Sequence, residues 1–238
     1  KLNPLAGLQR GFAGRWQILP SPDQHHTVRA RFSRAGPRLP SGITPAGRRC
    51  IMQPMPRVPP FDRPATYDDL VKLPDHLVAE IVDGELHASP RPAVPHVRAG
   101  SVLGRKVGGP YDDGVGGPGG WWILDEPELH LNANVLVPDL AGWRRSRLPR
   151  CPDSAFFSVA PDWVCEILSP STASLDRVQK LAVYAREHVA HAWLIDPLAR
   201  TLEVLRLERG RWTILATRAG AEVVTAEPFG EIDLDLPA

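Results

Sequence analysis

Cysteine is scarce in this chain: Cys50, Cys151 and Cys165 are the only three in 238 residues. They form no Cys-x-x-Cys pair and no even-numbered set, which argues against a disulfide framework and a structural zinc and for a reducing compartment. Long apolar runs are missing too. None approaches the roughly 20 residues that a membrane helix needs, and no signal-peptide core with a small-residue cleavage site is present, so the cytoplasm is the expected location. Acids are nearly absent from residues 1 to 60, where Asp23 stands alone against ten Lys/Arg and where ten of the 26 prolines fall. Residues 61 to 238 hold the other 18 bases against 26 acids. The near-neutral total of +1 therefore joins a basic tail to an acidic body.

The tail shows no sustained period of 2 or 3.6, and a segment so rich in Pro, Arg and Gly buries too little apolar surface to offset its ordering entropy. Residues 1 to about 60 are expected to be disordered. Three readings of it stand open: a transit peptide, a phosphate-binding arm, or residues upstream of a natural start at Met52 or Met55 that are not part of the working protein. Those two are the only methionines, they sit where the composition changes, and the chain opens on Lys1.

From Ala65 onward the pattern is that of one folded domain. Thr66 and Asp69 form a capping box for a short helix that Pro74 closes. Leu77–Val82, Asp83-Gly84 and Glu85–Ser89 form a β-hairpin signal, because Asp-Gly readily takes the positive φ of a tight turn. Val94, Val97, Val102, Leu103 and Val107 predict a helix that stops at Gly108-Gly109-Pro110. Strands are predicted over Trp121–Asp125, Glu128–Leu131, Val135–Gly142 and Asp162–Leu168. Ser169-Pro170-Ser171-Thr172 then offers caps for an amphipathic helix of Leu175, Val178, Leu181, Ala182 and Ala185. Strands over Ala192–Asp196, Thr201–Leu207, Arg211–Thr217 and Ile232–Leu236 complete the chain. That order predicts an α/β fold with one central mixed sheet flanked by helices and additional antiparallel strands.

Two acids interrupt stretches that otherwise look like buried strand: Asp139 after Val135-Leu136-Val137-Pro138, and Glu166 inside Val164-Cys165-Glu166-Ile167-Leu168. A buried carboxylate costs several kcal/mol unless it is paired or bound to a cation. Either a salt bridge to Lys or Arg satisfies them, or they hold Mg²⁺, which takes one or two protein carboxylates and keeps several waters. Lys180, on the helix after Glu166, is placed to point back at them. There it would orient or help deprotonate an attacking water, or neutralise charge on phosphorus; its bland alternative is a solvated helix lysine. Tyr184, four residues on, shares that face as a core aromatic.

Other chemistries fit less well. The Gly114–Gly120 stretch lacks the strand before, the helix after and the Lys-Ser/Thr of a phosphate loop. His188 and His191 have no HExxH frame, and Ser169 and Ser171 sit in no G-x-S-x-G elbow. Arg144, Arg145, Arg147 and Arg150 concentrate positive charge just after the Asp139 strand, and the expectation is that they contact a phosphate backbone rather than form a merely solvated loop.

An ordered set of motifs resembles the Uma-two family within the PD-(D/E)xK nuclease superfamily. It comprises Tyr67-Asp68-Asp69-Leu70, the Glu80–Leu86 hairpin, His96, Pro138-Asp139-Leu140-Ala141-Gly142-Trp143-Arg144, Val164–Thr172, Asp176, Lys180, Tyr184 and Ala192–Pro197. The resemblance covers about residues 65 to 236. It implies a restriction-endonuclease-like αβββαβ core and metal-assisted hydrolysis of DNA phosphodiesters. Asp139 and Glu166 would be ligands to Mg²⁺ or Mn²⁺, Glu80 would complete the cage, and a homodimer would be the assembly. Leu168 stands where a typical superfamily member has its lysine, and the resemblance assigns that role to Lys180. The competing function is a nuclease fold that binds or assembles without cutting, which the acidic body favours.

Overall fold

The structure, a computed structural model, describes residues 62–220 and 223–235. The expectations for residues 1 to 60, including Cys50, Met52 and Met55, lie outside the described residues. Thr66 precedes the one-turn helix α1 (Tyr67–Leu70); its backbone N–H donates to the Asp69 carboxylate, the reciprocal bond of a capping box, and its hydroxyl donates to the same carboxylate. Strands β1 (Leu77–Val82) and β2 (Glu85–Pro90) pair antiparallel around Asp83 and Gly84, whose φ angles of 49° and 83° fit a tight hairpin turn. Helix α2 (Val94–Val107) does not stop at Gly108. It continues through a wider π-helical turn, Gly108–Asp113, and ends at Gly114, which takes φ 71°.

Strand β3 (Trp121–Asp125) follows, and then the predicted strand 135–142 divides in two. Strands β4 (Leu129–Leu131) and β5 (Asn134–Leu136) join β1 and β2 in a four-stranded sheet of order β2-β1-β5-β4. The chain turns at Val137-Pro138-Asp139 and enters a second sheet as β6 (Leu140–Arg144). Pro138 lacks the N–H that an uninterrupted ladder would need, so one apolar run serves two sheets.

The second sheet has six strands in the order β10-β9-β8-β7-β6-β3, formed with β7 (Trp163–Ile167), β8 (His191–Asp196), β9 (Thr201–Glu208) and β10 (Arg211–Ala219). Only β7 and β8 pair parallel, and the crossover between them carries the helix that bears Lys180. That helix opens as a π-helical segment, Leu175–Lys180, and continues as α3 (Leu181–Arg186). The wider turn rotates the buried face away from the one predicted: Leu175, Asp176, Lys180, Leu181, Val183 and Tyr184 are buried, whereas Val178 and Ala182 are exposed. A ribbon of β11 (Val223–Ala226), which the sequence reading lacked, and β12 (Phe229–Asp235) ends the described chain.

The six-stranded sheet has a core on each face. Trp143, Val164, Leu194, Val183 and Tyr184 pack on one side together with Val82, Leu129 and Leu136 of the smaller sheet. Leu103, Val107, Trp121, Trp163, Trp193 and Phe229 pack on the other. No helix among the described residues is long and apolar enough to cross a membrane.

Candidate active site

The turn between the two sheets is where the acids meet. In the β6–β7 ladder Leu140 faces Cys165, so one step further sets Asp139 beside Glu166 on the same face, as side-chain alternation demands. Asp139 Oδ2 accepts the Ile167 N–H at 2.6 Å, and Oδ1 lies 2.6 Å from His96 Nε2 on the first turn of α2. On the other side of Asp139 the Glu126 N–H donates to its carbonyl at 3.0 Å. Glu80 arrives from the neighbouring sheet and accepts the Val137 N–H at 2.8 Å.

Lys180 fills the centre. Its Nζ lies 2.9 Å from carboxylate oxygens of both Glu80 and Glu166, 3.5 Å from Asp176 and 3.4 Å from the Val137 carbonyl. Tyr184 donates its hydroxyl to Glu166 Oε1 at 2.6 Å. Asp176, Lys180 and Tyr184 are spaced by four residues, and the π-helical turn brings all three side chains over the Glu166 strand. The Lys180 and Glu166 side chains are 3% and 2% exposed, whereas Asp139 is 19% exposed. Lys180 therefore forms the floor and Asp139 the mouth.

Burial pushes the Glu166 carboxyl well above its ordinary range; the Lys180 ammonium opposes this, and Asp176, Asp139 and Glu80 add to it. Asp176 is raised for the same first reason, with Lys180 again opposing. Burial alone would discharge Lys180, but Glu166 and Glu80 reverse that and hold the ammonium charged. The Tyr184 phenol is raised by burial and by Glu166. His96 is drawn down by burial, but the hydrogen bond and charge of Asp139, with the charges of Asp176 and Glu126, together raise it above its ordinary value. One buried ammonium thus faces an excess of carboxylates. A proton or a cation relieves that excess.

Of the predicted site residues, Asp139, Glu166, Glu80 and Lys180 come together. Among the described residues no three Asp, Glu, His or Cys side chains converge as a closed metal cage. Glu80 is instead turned onto Lys180 and the Val137 N–H. The donor set is nevertheless hard oxygen at a partly open mouth, which suits an ion that keeps several of its own waters. Sequence reasoning counted Asp176, His96 and Tyr184 among the family motifs and put Tyr184 on the Lys180 face as a core aromatic, but gave none of the three a part in the site. The helical spacing of 176, 180 and 184 was the available signal, whereas nothing local announced that His96 would reach Asp139.

The arginines lie elsewhere. Arg144 is five strand residues from Asp139, about 16 Å along β6. Its guanidinium sits over the Trp121 ring at 4.4 Å. Arg145 stacks over Trp122 at 3.9 Å and bonds Asp112, and Arg147 Nε bonds Asp162 at 3.0 Å. All three are at the opposite end of the sheet from the carboxylates, and two are already paired with acids.

No curated protein matches the chain. Among solved structures it is similar to one described as "a putative nuclease belonging to DUF820" from Anabaena variabilis ATCC 29413, with 23% sequence identity, 73% of this chain and 96% of that chain covered, and a TM-score of 0.57. At that identity the likeness establishes the fold. Residues 64–238 match the Uma2 family, described as "Putative restriction endonuclease", and the chain belongs to that family.

Proposed function

We propose that this protein hydrolyses DNA phosphodiester bonds with the help of Mg²⁺ or Mn²⁺ at the turn between its two sheets. The observation that carries this reading is the placement of Asp139 beside Glu166, with the buried Lys180 ammonium 2.9 Å from Glu166 and Glu80. Asp139, the most exposed of the acids, and Glu166 would hold the metal, with Glu80 behind them. A bound ion would supply a Lewis acid for a phosphoryl oxygen and lower the pKa of a coordinated water. The Ile167 N–H and His96 fix the plane of the Asp139 carboxylate before any substrate arrives. Lys180, on the floor, acts through Glu166 and Glu80, directing both carboxylates and limiting their mutual repulsion. Tyr184 holds the remaining Glu166 oxygen in place.

The test is nicking of supercoiled plasmid by the full chain in Mg²⁺, Mn²⁺ and EDTA, beside Asp139→Ala. Metal-dependent nicking that Asp139→Ala abolishes is expected. The engagement of both Glu166 oxygens by Lys180 and Tyr184 favours a second reading, in which the site binds without cutting. No nicking, together with no rise in thermal stability on adding Mg²⁺, would select it.

A further inference from the structure

We infer that the outer face of helix α2 is a track for the phosphate backbone of DNA; this rests on the function proposed above and identifies the surface that holds the substrate. Residues 91 to 107 carry Arg91, Arg98, Arg105 and Lys106 and no acid, inside a body where bases are outnumbered 18 to 26. The helix itself fixes where those charges point. Val102, Leu103 and Val107 bury the inner face, so Val94, Arg98, Ser101 and Arg105, at spacings of four, three and four, form the opposite ridge, and all four are exposed. Two glycines hold the inner side close to the sheet. A Cβ on Gly100 would stand 3.3 Å from Ile167 Cδ1, and one on Gly104 3.0 Å from Asp125 Oδ1.

The ridge is free to bind. Among the described residues no carboxylate pairs with Arg91, Arg98, Arg105 or Lys106, whereas Arg145, Arg147, Arg177 and Arg206 each sit on an acid. The helix that carries it also reaches the candidate active site from its inner face, where His96 contacts Asp139 at 2.6 Å. Arg98 and Arg105 are seven residues apart, about 10 Å along the helix axis at 1.5 Å per residue. That is about three nucleotides of axial rise on one strand. A polyanion is repelled by most of an acidic body, so an unpaired cationic ridge on the helix that also carries His96 into the candidate site is where its charge is best met.

The experiment measures fluorescence anisotropy of a labelled DNA duplex of about 24 base pairs, titrated in EDTA so that nothing is cut, at salt from about 50 to 200 mM. R98Q/R105Q keeps helix propensity and removes two charges, R98K/R105K keeps the charges, and R218Q, far along β10, controls for net charge. The Gln pair is expected to flatten the slope of log K against log salt by about 1.8, at about 0.9 per phosphate contact. Its deficit against wild type should then shrink by about 12-fold over that fourfold salt range. The Lys pair and R218Q should keep the wild-type slope. Wild-type binding with an unchanged slope in R98Q/R105Q would overturn this inference and leave the proposed hydrolysis standing. Nicking by a wild type that shows no salt-dependent binding would do the same. A wild type that neither binds nor nicks would overturn both.

Discussion

Replacing Lys180 by Met keeps the length and apolar stem of the side chain and removes only its charge. The ammonium is 2.9 Å from Glu80 and from Glu166 and 3.5 Å from Asp176, and its side chain is 3% exposed, so the variant leaves three acids crowded without their cation. Breaking a buried pair in this way costs about 3–5 kcal/mol. At about 2–4 °C per kcal/mol for a domain of this size, the melting temperature at neutral pH should fall by about 6–20 °C. The pH dependence gives an internal check on the cause. Glu166 and Asp176 already stand above their ordinary values, and the variant loses the neighbour that most lowers both. The folded state then binds protons that the unfolded state has released, so stability falls as pH rises from the unfolded carboxyl value of about 4.3 upward. The wild type shares that sign with a smaller slope. Calorimetry in EDTA from acidic to mildly alkaline pH measures both, and the gap between the two proteins should widen as pH rises. A variant that melts within about 2 °C of wild type at every pH would show that no such cluster of charge exists.

Nicking by Lys180→Met should be lost at any Mg²⁺ concentration that sustains the wild type, because the two carboxylates lose their common anchor; retained nicking at unchanged half-saturating Mg²⁺ would remove Lys180 from the mechanism. Asp69→Ala should destabilise the start of the domain, since Asp69 accepts from Arg63 and Thr66. Those bonds hold its carboxyl far below the usual range, so the effect should be full above a pH of about 4 and vanish as pH falls further, as paired melting curves would show. Gly142→Ala should cost about 1–3 kcal/mol by overpacking. Its Cβ would meet Ile123 Cδ1 at 2.9 Å, Trp163 Cε3 at 3.2 Å and Trp121 Cε3 at 3.3 Å, and an unchanged denaturation midpoint would contradict that geometry.

The features legible in the sequence are those whose cause is local. Asp83-Gly84 announced its hairpin because few other pairs take two positive φ values in succession. The pairing of Asp139 with Glu166 was legible as two acids that a strand interior cannot hold alone. What was not legible depends on partners distant in sequence. The run Val135–Gly142 is apolar enough to pass for one buried strand, and only Pro138 hinted that it changes sheets. The π-helical segment left no sign in periodicity, so Val178 was assigned to a face that it does not occupy and is 65% exposed. The arginine cluster was close to Asp139 in sequence, but five residues of strand carried it to the far end of the sheet, where Asp112 and Asp162 take two of its members.

Lysine on a helix rather than on the strand raises the question of whether its origin matters or only its charge. Leu168, directly after β7, is buried at 3% exposure and, two residues after Glu166, points to the same face of the sheet. Same-face neighbours on a strand are about 6.6 Å apart, within reach of an extended lysine. A lysine at 168 would thus return an ammonium to Glu166 but not to Glu80 or Asp176, and it would displace a leucine from a packed core. The double variant L168K/K180M separates these contributions. If the ammonium serves to orient Glu166, nicking should recover above the K180M level although the melting temperature does not, since the apolar contacts of Leu168 are lost and two acids remain unpaired. If the arrangement around Glu80 is what counts, the double variant should stay as inactive as K180M while remaining folded by circular dichroism, and Lys180 would then act chiefly as the link between the two sheets.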